Sequence, residues 1–238
     1  MTRSRFQQGL DQLKEQLLLM AGLAEQSVDK AVAGYSSRDA KVCNDVFVLE
    51  KQINTAERNI DELALDLLAM QQPMAIDLRF ITACMKINAD LERVGDQAVN
   101  IAQRGLNEIN VSQVEMPIDI ARLAATAAGM IRRALDAFVN ENVELAEAVL
   151  KVDDVVDRMN DDNYVAMVRQ ITQAPSTTRQ ALDALLVSRN LERVADHATN
   201  IAEDVIFWIK GADVRHGAVR PGMLPDDPEF DESEAPQA

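Results

Sequence analysis

Glu92 and Asp96 form a carboxylate pair that could bind a cation, because their four-residue spacing places both on one side of a helix. The Leu-Glu-Arg-Val-Gly-Asp segment around them recurs 100 residues later as Leu-Glu-Arg-Val-Ala-Asp, where it supplies Glu192 and Asp196. In the fourteen-residue windows around the two segments, nine positions are identical. A repeat of this length is typical of one structural unit used twice. The sequence therefore predicts two equivalent carboxylate pairs.

A second predicted helix in each half carries further polar residues. They lie beside the apolar seam of that helix and flank the core. These residues are Glu50, Asn54, Glu57 and Asp61 in the first half, and Asp153, Asp157 and Asn160 in the second. Two neighbouring antiparallel helices can then present acids to one groove. An all-oxygen set of ligands suits hard or borderline cations such as Mg²⁺, Ca²⁺, Mn²⁺ or iron. We expect a metal site between two helices in each half.

The same acids are also compatible with two alternative roles. Acids beside a heptad seam commonly pair with basic residues, and a spectrin-like structural spacer would use them only as helix surface. The available arginines are Arg58, Arg93, Arg158 and Arg193. Alternatively, the protein is a carboxylate-bridged metalloenzyme or a metal-storage bundle. A ferritin-like di-iron centre needs Glu-x-x-His motifs, and neither His197 nor His216 lies in one. This disfavours redox catalysis and predicts that His197 is a surface or interface residue.

The spacing of apolar residues predicts an all-α fold of six long helices. We place them at about 5–35, 39–71, 74–108, 117–140, 142–173 and 177–210. Short connections make antiparallel neighbours, so the simplest assembly is two tandem, quasi-symmetric three-helix bundles. The first repeat would span 1–110 and the second 111–212. Residues 213–238 are rich in acids and proline and are expected to be disordered.

The composition excludes several classes of function. The chain has 238 residues and a formal net charge of −15 at pH 7. Nucleic-acid binding depends on clustered lysine and arginine, so none is expected. Cys43 and Cys84 are far apart within helical patterns, which predicts buried, reduced thiols and a cytosolic location. The N-terminus does not resemble a signal peptide, and the longest apolar run, 17–24, is far shorter than the ~20 residues that cross a bilayer. Membrane contact is expected only through a partner.

The motif residues resemble those of the PhoU family of phosphate-transport accessory regulators. The matching segments are Gln72-Pro73-x-Ala75-x-Asp77-Leu78-Arg79, both Leu-Glu-Arg-Val-x-Asp segments, Asn200-Ile201, and Lys210-Gly211-x-Asp213-Val214-Arg215-His216. The resemblance covers about 5–216. It implies a two-repeat, six-helix protein, usually a homodimer, that is not an enzyme.

The resemblance also implies a role and a set of metal ligands. Such proteins negatively regulate the phosphate-starvation response, limit phosphate uptake and link the ATPase subunit of a phosphate ABC transporter to a sensor histidine kinase. Their motifs bind metal, as iron clusters or zinc in some members, and Mg²⁺ or Mn²⁺ also remains open here. Carried over by position, the ligands are Glu50, Glu57, Glu92 and Asp96 in the first half, and Asp153, Asp157, Glu192 and Asp196 in the second. This chain departs from the pattern at Asn54 and Asn160.

Overall fold

All regular structure in the described part of the chain is helical. The structure is a computed structural model that describes residues 2–70, 73–112 and 114–211. The helices are α1 (Thr2–Ser37), α2 (Ala40–Met70), α3 (Ala75–Glu108), α4 (Ile120–Asn140), α5 (Val143–Gln173) and α6 (Thr178–Lys210), with a 3₁₀ turn at Pro175–Thr177. The predicted all-α fold of six helices is confirmed. The predicted disorder of 213–238 lies outside the described residues.

Capping side chains and one glycine set several of the helix ends. The carboxylate of Asp39 accepts hydrogen bonds from backbone N–H groups of α2 at 2.8 and 3.3 Å. Asp119 accepts one from α4 at 2.9 Å, so α4 begins at Ile120, slightly later than predicted. Gly211 ends α6 in the left-handed conformation (φ 68°), and its N–H donates to the carbonyl of Phe207. A glycine takes this conformation without the steric penalty of a side chain.

Helices α3 and α6, which carry the repeated motif, pack against each other in antiparallel directions. Near one end Lys86 Nζ lies 2.8 Å from Asp204 Oδ1, and near the other Arg104 Nη1 lies 3.3 Å from Asp183 Oδ1. Helix α3 also packs on α1 and α2, and α6 packs on α4 and α5. The result is two three-helix bundles that meet mainly through their third helices.

One hydrophobic core runs through both bundles. Its fully buried members include Leu13 on α1, Ile53 on α2, Leu91 on α3 and Leu191 on α6. The rings of Phe80, Phe138 and Trp208 meet where α3, α4 and α6 come together, with centroids 5.0–6.0 Å apart. Because apolar contacts continue across the junction, the two bundles stabilise each other. None of the helices in the described ranges is long and apolar enough to cross a membrane.

The two cysteines are buried and unpaired with each other, as predicted. Burial raises the pKa of both thiols above the ordinary value, and the shift is larger for Cys84. The thiolate is the reactive form of cysteine, so both side chains act as small apolar groups in the core. The prediction that both thiols are buried is confirmed.

His197 lies at an interface, which is one of the two locations predicted for it. Its side chain is 10 % exposed, and its Nδ1 lies 2.9 Å from Oδ1 of Asp90. The amide of Asn200 donates to the same oxygen at 3.2 Å. Asp90 belongs to α3 and the other two residues to α6, so the histidine lies at the interface between the halves. The position next to Asp196 faces this interface because α3 and α6 pack directly on each other.

Replacing Gly105 by alanine is expected to lower the free energy of unfolding by about 1–3 kcal/mol, the usual cost of overpacking. A Cβ at this position of α3 would lie 2.8 Å from Cys43 Sγ and 3.1 Å from the backbone Cα of Tyr35, so α1 would have to move. Gly129→Ala is the matched control, because a Cβ there meets nothing within 4 Å. The control should be about 1 kcal/mol more stable than the parent, as for alanine in other helix interiors. Urea denaturation measures both, and equal effects of the two changes would contradict the packing.

Candidate metal sites

The structure brings the four acids of the first half together between α2 and α3. Burial is the main cause that raises the pKa of Glu92, and the carboxylates of Asp96 and Glu57 raise it further. Burial also raises the pKa of Asp96, with Glu50 as the next cause. Like charges raise each other's pKa only when they lie close together. Glu50, Glu57, Glu92 and Asp96 therefore lie near enough to influence one another across the groove between α2 and α3, and their role as metal ligands stays a prediction.

Two asparagines modify the first groove. Asn54 donates its Nδ2 to Oε1 of Glu50 at 2.6 Å, so the amide that replaces an acid on α2 stabilises its neighbour. Asn88 lies one turn before Glu92 and donates its Nδ2 to Oδ1 of Asp61 at 2.9 Å. Oδ1 of Asn88 is buried and has no hydrogen-bond partner among the described residues. The groove thus has an amide end as well as a carboxylate centre.

The second half holds a tighter group of carboxylates. One oxygen each of Asp153, Asp157 and Asp196 lies within 4.8 Å of the other two. Burial raises the pKa of Glu192, and the charges of Asp196 and Asp157 raise it further. Glu192 therefore belongs to the same groove. In the described part of the chain, no other three ligand atoms of His, Cys, Asp or Glu come this close.

Hydroxyl groups of α6 hold the edge of the second groove. Thr199 donates its hydroxyl to Oδ1 of Asp153 at 3.2 Å and to the carbonyl of Ala195. Ser188 donates to Oδ1 of Asn160 at 2.9 Å and accepts from Nδ2 of Asn163 at the same distance. Asn160 stands where the resemblance to the PhoU family predicts an acid. Its side-chain oxygen is instead hydrogen-bonded to Ser188.

Basic residues form no direct ion pair with these acids in the described part of the chain, although Arg93 and Arg193 lie near enough to lower the pKa of Glu92 and Glu192. None of the eight predicted ligands has a lysine or arginine nitrogen within 4.0 Å there. Three of the arginines that might have paired with them bind elsewhere. Arg93 approaches Asp90 at 3.9 Å, Arg58 reaches Thr55, and Arg158 donates to the carbonyl of Asp154. The described residues therefore show no ion pair for any of these eight acids.

The second groove fits a hard or borderline cation. Metal–oxygen distances of about 2.0–2.6 Å allow ligand oxygens to lie up to about 4–5 Å apart, and the oxygens of Asp153, Asp157 and Asp196 all lie within 4.8 Å of one another. Burial is the main cause that raises the pKa of Asp196, and repulsion by Asp153 and Asp157 raises it further. A divalent cation in the groove would offset this repulsion. Zinc usually takes cysteine or histidine ligands as well, and this group has neither. The donor set therefore suits Mg²⁺, Mn²⁺, Ca²⁺ or iron better than zinc.

Sequence reasoning missed the polar residues that surround the carboxylates. Asn88 and Ser188 lie one turn before Glu92 and Glu192 at equivalent positions of the repeat, and this spacing was a usable signal. Thr199 gave no such signal. Its contact with Asp153 depends on how α5 and α6 are rotated against each other, and periodicity does not specify that rotation.

The fold and the two grooves define an all-helical, two-repeat protein with a carboxylate site in each repeat. A sequence profile described as the PhoU domain matches residues 17–105 and 120–205. The chain is 36 % identical over 215 residues to the phosphate-specific transport system accessory protein PhoU homolog of Pseudomonas putida, covering 89 % of this chain and 83 % of the relative. It is 29 % identical over 216 residues to the PhoU protein of Escherichia coli, covering 89 % and 88 % of the two chains.

Solved structures agree with these sequence matches. The crystal structure of PhoU from Pseudomonas aeruginosa superposes with a TM-score of 0.83 at 35 % identity, covering 87 % of this chain and 99 % of that one. A phosphate transport system regulatory protein PhoU from Streptococcus pneumoniae has the same fold, with a TM-score of 0.78 at 24 % identity over 88 % and 99 % of the two chains. The chain belongs to the PhoU domain family. The prediction that it is not an enzyme is confirmed, because family members are named as accessory proteins.

Proposed function

We propose that this protein is a cytoplasmic regulator of phosphate homeostasis that limits phosphate uptake and represses the phosphate-starvation response when phosphate is plentiful. The observation that carries the proposal is the match of both repeats to the PhoU domain, together with relatives named for the phosphate-specific transport system. A helical bundle for which no catalytic site is proposed suits a protein that acts by binding other proteins.

The proposed partners are the ATPase subunit of a phosphate ABC transporter and a sensor histidine kinase, and the protein would act as a homodimer. Its regulatory state would depend on which partner it holds. Support for this part comes from the names of the relatives, which describe an accessory of transport. Co-purification of the tagged protein with each partner, in high and in low phosphate, tests the link. The link requires both interactions, so a protein that fails to bind either partner would contradict it.

Metal binding by the two grooves is the second part of the proposal. The ligands would be Glu50, Glu57, Glu92 and Asp96 in the first groove, and Asp153, Asp157, Glu192 and Asp196 in the second. The support is the gathering of these acids without basic partners in the described part of the chain, and the close approach of three aspartate oxygens. When bound, the metal would supply charge that holds two helices of one bundle together. The second groove is expected to bind more tightly, because three of its aspartate oxygens already lie within 4.8 Å of one another.

Deletion of the gene tests the regulatory function. The deletion strain should express phosphate-starvation genes in rich phosphate, and the parent chain supplied on a plasmid should restore repression. Normal repression in the deletion strain would overturn the proposal.

Complementation with groove variants tests the role of the metal separately. Asp157→Asn combined with Asp196→Asn removes two carboxylates of the second groove. The matched control is Asp162→Asn, an exposed acid on the same helix outside the group of three. If the groove variant binds less metal than the control by mass spectrometry yet represses fully, metal binding by the second groove is not part of the regulation. If its metal content equals that of the control, the groove is not the site.

A further inference from the structure

One outward face of α6 combines exposed leucines with exposed arginines. Leu182 and Leu186 are 47 % and 38 % exposed, although leucine is among the residues most often buried in proteins. Arg179, Arg189 and Arg193 of the same helix are exposed as well. The five positions recur at steps of three and four residues, so they lie along one side of the helix. We call these five residues the α6 stripe.

Exposed valines of α5 extend the apolar part of the α6 stripe. Helices α5 and α6 are joined by a short connection and run antiparallel, and Asn163 of α5 donates to the hydroxyl of Ser188 of α6 at 2.9 Å. Positions that follow Asn163 on α5 are therefore level with positions that precede Ser188 on α6. This places Val165 and Val168, both exposed, level with the two leucines of the stripe.

The first repeat does not have this apolar surface. The residues of α3 that correspond to the two leucines are Thr82 and Lys86. Lys86 is bound to Asp204 at 2.8 Å. The leucines of the stripe are therefore not needed for the packing that both repeats share, and only one such surface exists per chain in the described residues.

The arginines of the stripe are available to an acidic partner. In the described ranges, none of them has an acid within 4.0 Å. Arg189 and Arg193 lie near enough to Glu192 to oppose the rise that burial causes in its pKa, without forming a direct ion pair. Apolar side chains flanked by such arginines suit a segment that carries apolar side chains between acids.

The sequence contains a segment of this kind near its C-terminal end. Residues 224–234, outside the described ranges, contain six acids and no basic residue. Leu224 and Phe230 provide apolar side chains within this acidic run. In a chain with a formal net charge of −15, the arginines of the stripe are a local positive surface that such a segment complements.

The connecting chain is long enough for this segment to reach the stripe of its own molecule. Leu182 and Leu186 lie about 38–44 Å back along α6 from Gly211, at ~1.5 Å per residue. The nineteen residues from Gly211 to Phe230 can span about 60 Å when extended. Phe230 can therefore reach both leucines without displacing any helix.

We propose that residues 224–234 bind to the α6 stripe of the same chain. Phe230 lies against Leu182 and Leu186, and the acids beside it pair with the arginines of the stripe. Bound in this way, the segment covers the exposed apolar surface of α5 and α6. Another protein with an acidic segment would reach this surface only by displacing it. The proposal is independent of metal binding and of the regulatory function.

The distance between two spin labels in the full-length protein tests the proposal. The labels are attached to Gln103→Cys, an exposed position of α3, and to Ser233→Cys. Cys43 and Cys84 are buried and do not take up the label. A bound segment places the labels within about 30 Å of each other, because Ser233 is only three residues, ~10 Å, from Phe230. An unbound segment of random-coil dimensions would give a broad distribution centred at about 45–50 Å.

Charge reversal on each side tests whether the stripe is the binding surface. Arg179→Glu combined with Arg189→Glu should lower the equilibrium constant for binding of the segment about 10-fold, as for the loss of two exposed ion pairs and the gain of repulsion. Asp231→Arg combined with Glu232→Arg should have a similar effect, and the two pairs of changes together should restore the short distance. The matched control is Arg133→Glu on an exposed position of α4, which should leave the distances unchanged.

An apolar variant keeps the test decisive if charge reversal disturbs folding, which circular dichroism would reveal. Leu186→Asp should also release the segment, whereas Leu65→Asp, at an exposed position of α2, should not. Three results would overturn the proposal. They are a parent distribution centred at about 45–50 Å, a short distance that persists in the Arg179 and Arg189 variant and in Leu186→Asp, and a short distance that disappears when the labelled protein is diluted with unlabelled protein. The last result would mean that the segment binds a second copy of the chain.

Discussion

Adding Mn²⁺ to the metal-free protein is expected to raise its Tm by roughly 5–10 °C. Binding at 100 times the Kd stabilises a folded protein by about 2.7 kcal/mol, and each kcal/mol shifts the Tm of a chain of this size by about 2–4 °C. Asp196→Asn should remove most of this gain, because Asp196 provides one of the three close oxygens of the second groove. Differential scanning calorimetry with and without EDTA measures the effect.

Without metal, the same substitution is expected to act in the opposite direction. Burial and the charges of Asp153 and Asp157 raise the pKa of Asp196, which means that its charged form is disfavoured in the folded protein. Asparagine has nearly the same shape and no charge, so Asp196→Asn should raise the Tm of the metal-free protein at pH 7. The control Asp162→Asn should keep the full response to Mn²⁺. A variant at Asp196 that keeps the parent's metal content and Tm shift would rule out the second groove.

Phe138→Ala is expected to lower the free energy of unfolding by about 3–5 kcal/mol, the usual cost of removing a large buried ring. Phe138 is fully buried in α4, and its ring lies 6.0 Å from that of Phe80 on α3 and 5.3 Å from that of Trp208 on α6. The change therefore empties the place where the two bundles meet. The expected fall in Tm is roughly 6–20 °C.

The same variant tests whether the two bundles unfold together. The fluorescence of Trp208, the only tryptophan of the chain, reports on the second half. The thiol of Cys43, which is buried in α2, reports on the first half when it becomes reactive. Because one core joins the bundles, both signals should change at the same urea concentration in the parent and in the variant. Separate midpoints in the parent would show that the bundles are independent. Phe47→Ala, at a half-buried position of α2, should cost less.

The helices were predictable from the sequence because each has a regular apolar seam that does not depend on its partners. Helix α3 shows this well, since its predicted end at 108 is the observed end and its start at Ala75 differs by one residue. The gathering of Glu92 and Asp96 with acids of α2 was also predictable. Acids beside the seam of one helix must face the neighbouring helix once the seam is buried.

The contacts between the halves were not predictable in the same way. Periodicity shows which face of α6 is buried, but it does not show that α3 covers this face, so the sequence left open whether His197 lies at the surface or at an interface. The hydroxyl contacts of Thr199 and Ser188 could not be predicted for the same reason. Asn160 was noted from the sequence as a departure from the acidic pattern. Its hydrogen bond to Ser188 depends on the rotation of α5 against α6, which one sequence does not specify.

The contact between Asp90 and His197 bears on the ancestry of the protein. Positions 90 and 197 correspond to positions 190 and 97 in the other repeat, and these are Asn190 and Gln97. In an ancestor assembled from two identical single-repeat chains, the contact would have occurred twice with the same residues, and every substitution would have changed both copies. Fusion of the two copies into one chain would have freed each to change alone. One side of the junction holds an ionisable pair and the corresponding positions of the other side hold two amides, an asymmetry that two identical chains could not encode.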